Sequence, residues 1–203
     1  MTSGNSHSFR HLLAALLLAA SGLCHAAAAE TAAAWGIEQL MQNLGQVKSA
    51  KGKFVERKTL AILNAPLDAS GTLIYTAPGR LEKHTLLPKP ETLVLEQDKL
   101  TIEHKDRNQR RTLALQDYPV IWAFVESIRS TLAGDLQTLR RFYRTSLEGG
   151  EDQWRLSLKP ADPKMQTVVK EINIGGRGSR VRTIEIIETE GDRSVMTITE
   201  DAS

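Results

Sequence analysis

Few residues in this sequence have the types and spacing that covalent chemistry needs. Its five histidines are His7, His11, His25, His84 and His104, and its one cysteine is Cys24. A zinc or iron site needs several such ligands close together, and neither His84 nor His104 has a second ligand at metal spacing. Both are expected on strand faces. A hydrolase triad needs a nucleophile, a base and an orienting acid, and no Gly-x-Ser-x-Gly elbow occurs. The run "GGRGSR", residues 175–180, could let backbone amides approach a phosphate. It lies between two predicted strands and opens no helix, so Gly175, Gly176 and Gly178 are read as turn residues. Glu185, Glu188, Glu190 and Asp192 alternate with apolar residues or fall in a turn, which fits a wet sheet face better than a catalytic dyad. No catalytic residue, metal or cofactor is assigned, and the chain is not expected to be an enzyme.

Two basic groupings remain. Lys105, Arg107, Arg110 and Arg111 surround one predicted turn, and Arg140, Arg141 and Arg144 follow a predicted helix. Such groups can dock an anionic lipid head group or an acidic partner surface. They lack the interleaved aromatics that stack on single-stranded bases, so no nucleic acid is expected. Twenty-six lysines and arginines against 24 aspartates and glutamates leave no global charge to suggest an acidic polymer.

The elements that must position these residues begin after a leader. Arg10 and His11 precede an uncharged run from Leu12 to Leu23, followed by Cys24, His25 and alanines, the pattern of a secretory signal peptide over residues 1–26. The run is too short for a membrane span, which needs roughly 18 to 20 residues. Lipid attachment at Cys24 is disfavoured because the bulky Leu23 stands where such signals want a small residue. Residues 27–203 are therefore expected to be exported as one soluble domain, monomeric and without a disulfide. That domain must be held by its core alone.

Trp35, Ile37, Leu40, Met41 and Leu44 recur at helical spacing and predict a helix over 34–46. Short runs rich in Val, Ile, Leu and Thr then predict strands near 52–60, 70–76, 80–87, 92–97, 99–104 and 110–115. Next comes the strongest helical signal, over 118–133. Asp117 is its expected cap, Pro119 falls in its first turn, Gly134 ends it, and Ile121, Phe124, Val125, Ile128 and Leu132 share one face. Glu126 and Ser130 are expected to point away from that face. "GDLQTLRRFY" predicts a further helical turn, and strands return at 142–148, 153–159, 167–174, 181–188 and 194–199. About eleven strands with two or three helices make an antiparallel meander, mainly β with helices (α+β), and no βαβ pattern.

Strand composition carries one further message. In "GTLIYTAP" Leu73 and Tyr75 share a face while Ile74 takes the other, and in "ETLVLEQ" Leu93 and Leu95 oppose Val94. A one-sided sheet would alternate more cleanly. Apolar residues on both faces suit either an ordinary core or a curved sheet wrapped around something apolar.

The order of these segments resembles a known family. An early helix ends in "LMQNLGQVKSAKGKFVE". It is followed by "SGTLIYTAPGRLEKHTLLPKPETLVLEQDKLTI", a helix, "WRLSLKP" and "VRTIEIIETEGDRSVMTI". This looks like the periplasmic outer-membrane lipoprotein carriers, the LolA-like proteins, over nearly the whole mature chain. The motif Gly71-x-Leu73, Pro78-Gly79-Arg80-Leu81 and Pro88 is the most specific part. The resemblance implies an unclosed antiparallel β-barrel with a helical lid over an apolar cavity, and a role in shielding the acyl chains of a lipoprotein or other lipidated or glycolipid cargo between inner and outer membrane. It implies Leu73, Tyr75, Leu93, Leu95, Ile121, Phe124, Val125, Ile128 and Leu132 as cavity and lid. It also implies Arg80, Lys105, Arg107, Arg110 and Arg111 as docking residues for a head group, an inner-membrane exporter or an outer-membrane acceptor.

Two departures place the chain near a divergent branch of that family. Well-studied carriers hold the lid closed with a basic residue just before the first proline, where this chain has Ala77. They tend to carry an aromatic after the "PGRL" region, where this chain has Lys83. The alternatives are a periplasmic sensor domain on the same fold and an enzyme acting on lipid-linked substrates.

Overall fold

The computed structural model describes residues 35–200. The leader expected over 1–26, with Cys24, lies outside them. Eleven antiparallel strands form one sheet, in the order β6-β5-β4-β3-β2-β1-β11-β10-β9-β8-β7. They are β1 (Ser49–Thr59), β2 (Leu67–Thr76), β3 (Arg80–Leu87), β4 (Glu91–Glu96), β5 (Lys99–His104), β6 (Gln109–Ala114), β7 (Tyr143–Gly150), β8 (Gln153–Pro160), β9 (Val169–Arg177), β10 (Arg180–Glu188) and β11 (Arg193–Glu200). The first and last strands pair at the centre, Phe54 opposite Ile198 and Glu56 opposite Met196. Edge strands β6 and β7 do not pair with each other, so the barrel is unclosed.

Helix α1 (Ile37–Gly45) precedes the sheet. Helices α2 (Pro119–Ala133) and α3 (Leu136–Phe142) carry the chain from one edge strand to the other, and α4 (Pro163–Gln166) links β8 to β9. The connection from β6 to β7 is therefore helical throughout most of its length, and α2 is its longest part.

The ends of α2 differ in part from the sequence expectation. Pro119 occupies its first turn, where a missing N–H costs nothing. Asp117 is not the cap: it belongs to a 3-10 turn over Leu115–Asp117, Tyr118 occupies the cap position, and no side chain caps the helix there. At the other end Gly134 adopts φ +70°, and a Cβ on it would collide with the carbonyl of Met41. Glycine thus both stops α2 and lets α1 approach. The glycines of "GGRGSR" also divide. Gly178 is a turn residue at φ +52°, whereas Gly175 and Gly176 lie inside β9, and a Cβ on Gly176 would strike the ring of Trp154.

The core is split. A larger cluster joins α1, α2, α3 and α4 to β7–β9 through Leu40, Leu44, Leu139, Tyr143, Trp154, Leu156, Leu158 and Ile172. A smaller one joins Leu95, Leu115 and Val125, with Ile121 and Trp122 against it. Phe124 packs on both. Helix α2 is therefore pinned on two sides of the sheet, with the central strands between them.

Candidate functional site

The central strands are not filled by core. Of their apolar residues, Phe54 and Tyr75 are buried, whereas Leu73, Met196 and Ile198 are only half-buried. Tyr75 and these three half-buried residues border a half-open cavity of about 940 Å³. Its floor includes Leu73, Tyr75, Leu81, Leu93, Leu95 and Leu100, and Phe124, Val125, Ile128 and Leu132 come from α2. Eight of the nine sequence-named cavity residues thus meet at one wall. Ile121 does not join it and packs beside Leu95, Leu115 and Val125 instead.

Sequence reading missed the opposite half of the wall. Val181, Ile184 and Ile186 of β10 and Met196 and Ile198 of β11 line the same space. Their signal was present as period-two spacing, Ile184 with Ile186 and Met196 with Ile198. Nothing local, however, says which face of a strand is the concave one.

Helix α2 turns its apolar arc toward the cavity, and its other face is also buried. Glu126 is 3% exposed, Ser130 3%, Ser127 0% and Thr131 0%. Glu126 and Ser130, expected to point away from the apolar arc, are covered on the side where they lie. The face can be buried because its polar groups are satisfied: Ser127 Oγ donates to the Phe124 carbonyl at 2.6 Å, and Thr131 Oγ1 to the Ser127 carbonyl at 2.6 Å. Glu126 accepts from Trp122 Nε1 at 3.2 Å, from Ser130 Oγ at 3.2 Å and from Arg129. Tyr143 adds a bond from its hydroxyl to the Ala123 carbonyl at 2.9 Å, and burial raises its pKa far above the ordinary phenol range. A helical wheel separates apolar from polar positions but cannot show that both sides are covered.

Charged residues also line the cavity, Lys51, Glu56, Glu82, Lys83, Arg180 and Glu200 among them, and Glu56 pairs with Lys83 there. Lys83 Nζ lies 2.5 Å from Glu56 Oε2, and Ser194 Oγ donates to Glu56 Oε1 at 2.7 Å. Burial works against the Glu56 charge, but hydrogen bonds from Lys83 and Ser194 and the charges of Lys83 and Lys58 outweigh it. Its carboxyl is held below the usual carboxylate range.

The basic residues named from sequence lie off the cavity wall. Arg80 is engaged on the sheet, Nε to Glu82 at 3.0 Å and Nη1 to Glu96 at 2.6 Å. Lys105, Arg107, Arg110 and Arg111 are exposed around the β5–β6 turn, with Arg107 3.8 Å from Asp106 and Arg111 Nη2 3.4 Å from the Tyr118 hydroxyl. His84 meets Glu82 and Thr92, and His104 meets Glu91. Among the described residues no three His, Cys, Asp or Glu side chains converge as a metal site would require, and no helix is long and apolar enough to cross a membrane.

An unclosed antiparallel sheet, a helix across it and a largely apolar cavity between them define an open-barrel fold with an internal binding cavity. The chain belongs to the outer membrane lipoprotein carrier protein LolA-like family, whose sequence profile matches residues 26–202. Among solved structures it is similar to a LolA superfamily protein from Nitrosomonas europaea, with 10% identity, 82% of this chain and 92% of that one covered, and a TM-score of 0.41. It is also similar to a chain of the Pseudomonas aeruginosa MucA/MucB complex, with 15% identity, 82% of this chain and 58% of that one covered, and a TM-score of 0.46. Such identities describe a likeness of fold alone. No curated protein matches the chain.

Proposed function

We propose that this protein is a periplasmic carrier that shields the acyl chains of a lipoprotein or another lipidated or glycolipid cargo on the way between inner and outer membrane. In this reading residues 1–26 are removed as a signal peptide and 27–203 form the carrier domain. Leu73, Tyr75, Leu93, Leu95, Phe124, Val125, Ile128 and Leu132 contact the cargo, Ile121 anchors the lid, and the basic groups at Arg80 and the β5–β6 turn face a donor or acceptor. The protein performs no catalysis and needs no cofactor.

The observation that supports this most is the half-buried apolar floor beneath α2. A sheet stabilised only by its own core would bury Leu73, Met196 and Ile198, since each buried apolar side chain contributes about 1.5–3 kcal/mol. Here they face a cavity within the 300–1,000 Å³ range typical of ligand sites. Burying a 16-carbon chain would gain up to about 12 kcal/mol at about 0.8 per methylene. Chain ordering and incomplete burial consume part of that gain. A net of about 8 kcal/mol corresponds to a micromolar Kd, loose enough to hand cargo onward.

The test is lipid extraction and mass spectrometry of protein purified from its own periplasm, with a fluorescent fatty-acid titration beside it. A stoichiometric lipid and saturation at one or two chains are expected. A protein that carries no lipid and binds no acyl chain up to about 100 micromolar is not a carrier. A sensor on the same fold would instead co-purify tightly with an inner-membrane regulator.

A further inference from the structure

The Glu56–Lys83 pair places charge in a part of the cavity wall where apolar side chains would also fit. Lys83 stands on β3 between two leucines in register, Leu73 of β2 on one side and Leu93 of β4 on the other. Lys83, Leu73 and Leu93 all border the cavity, as do Glu56 and Ser194. Replacing a part-buried ion pair by apolar side chains of similar size is often neutral or stabilising, so stability alone does not call for a charge between these leucines.

The donors left over in this cluster belong to the Lys83 ammonium. Glu56 Oε2 receives Lys83 and Oε1 receives Ser194, so both oxygens are engaged. An ammonium carries three N–H donors and no acceptor, and the Lys83 Nζ has one hydrogen-bond partner, Glu56, with the ring of Phe54 4.9 Å from it. Lys58 and Glu188, the neighbouring pair at 3.3 Å, do not border the cavity. What Lys83 offers a ligand at this point is therefore its unused donors, beside Leu73 and Leu93, where an unmatched polar group is costly.

We propose that the cavity selects acyl chains bearing an oxygen acceptor, a carboxylate or ester carbonyl, which takes the free donors of Lys83 while the methylene chain lies along Leu73, Leu81 and Leu93 under Ile128 and Leu132. A cationic amphiphile of equal length finds Glu56 already engaged and meets the Lys83 charge. This deepens the carrier reading and rests on it. It assigns Lys83 the choice of cargo, with Glu56, itself held by Ser194, keeping the ammonium in place.

The test is displacement of a fluorescent probe at neutral pH by three chains of equal length: dodecanoic acid, its methyl ester and dodecylammonium. Wild type is expected to bind the acid and the ester about tenfold tighter than the ammonium, the worth of one charge-assisted hydrogen bond. Lys83→Met removes the donors and frees one Glu56 oxygen, so the order reverses and the ammonium binds tightest. Glu56→Gln combined with Lys83→Met keeps the cluster neutral, and all three chains then bind within about twofold. If Lys83→Met does not fold, the double variant decides alone. Equal binding of the three chains to wild type, or the same ranking in wild type and the variants, overturns the proposal while leaving the carrier reading intact. Failure of every chain to bind wild type overturns the carrier reading and this proposal with it.

Discussion

Arg129 of α2 donates from Nη1 to the carbonyl of Gln97, in the β4–β5 turn, at 3.0 Å across 32 positions of sequence. Its Nη2 bonds Glu126, and its Cδ lies 2.8 Å from where a Cβ on Gly79, in the β2–β3 turn, would stand. One side chain thus ties the helix over the cavity to two hairpin turns of the sheet. The resemblance to well-studied carriers places a basic latch just before Pro78, where this chain has Ala77. Here the cation comes from the lid and reaches down.

Arg129→Met should therefore cost stability as well as closure. Glu126, 3% exposed, would keep only Trp122 and Ser130 as donors. Removing one partner of a buried pair costs about 3–5 kcal/mol, and the lower end is expected because Arg129 itself is 24% exposed. Urea unfolding should show the loss, and Glu126→Gln added to Arg129→Met should restore most of it. Stopped-flow release of a bound acyl chain should be faster in both variants. An unchanged release rate would mean that Arg129 does not hold the lid.

Ile128→Asp and Ser130→Asp should separate cavity from core. Position 128 borders the cavity, so its carboxylate can meet enclosed water. The variant should lose most acyl-chain binding yet melt cooperatively within about 10 °C of wild type, a shift of about 2–3 kcal/mol at this length. From sequence, Ser130→Asp is expected to be silent. Its burial beside Glu126 reverses that expectation: two carboxylates would share one dry site, and loss of more than about 3 kcal/mol should appear in the melt.

Gly71→Ala should fail in the sheet itself. A Cβ there would collide with the carbonyl of His84 on β3 and stand 2.9 Å from Phe54 Cε1. Backbone cannot yield as a flexible side chain can, so a loss of at least about 3 kcal/mol or insoluble expression is expected. A variant with wild-type urea midpoint would show that the β2–β3 pairing adapts.

Acid should weaken the protein through Glu56. Its carboxyl has an ordinary pKa of 4.5 and a lower one in the fold. The unfolded chain therefore takes up the proton first as pH falls. The stabilisation from this group is complete above about 4.5 and disappears as pH passes down through the depressed folded value. Urea midpoints measured from pH 6 to pH 3 should fall less steeply for Glu56→Gln than for wild type. Identical slopes would mean that the Lys83 pair contributes nothing to acid sensitivity.

Much of this protein was legible in its residues because the signals are local. Turn residues and period-two runs placed all eleven strands within a few positions, and Pro119 and Gly134 bracketed α2 because one tolerates and the other requires a special backbone. Asp117 misled because a good capping residue is only one way to begin a helix, and Tyr118 begins this one without a side-chain bond. The short α4 was missed: at four residues it has no apolar period to detect, although Asp162 caps it through Lys164 and Met165.

What the sequence determined by itself is the type of the longer elements and the pairing of strands joined by short turns, since hairpins join residues that are already close along the chain. The tertiary structure alone decided which face of those strands is concave, that β10 and β11 complete the wall, and that both sides of α2 are covered. It also brought Lys83 to Glu56 across 27 positions and Ser194 to the same carboxylate across 138. Such contacts depend on sheet curvature and on the pairing of β1 with β11, and no local propensity encodes a distance between residues that far apart.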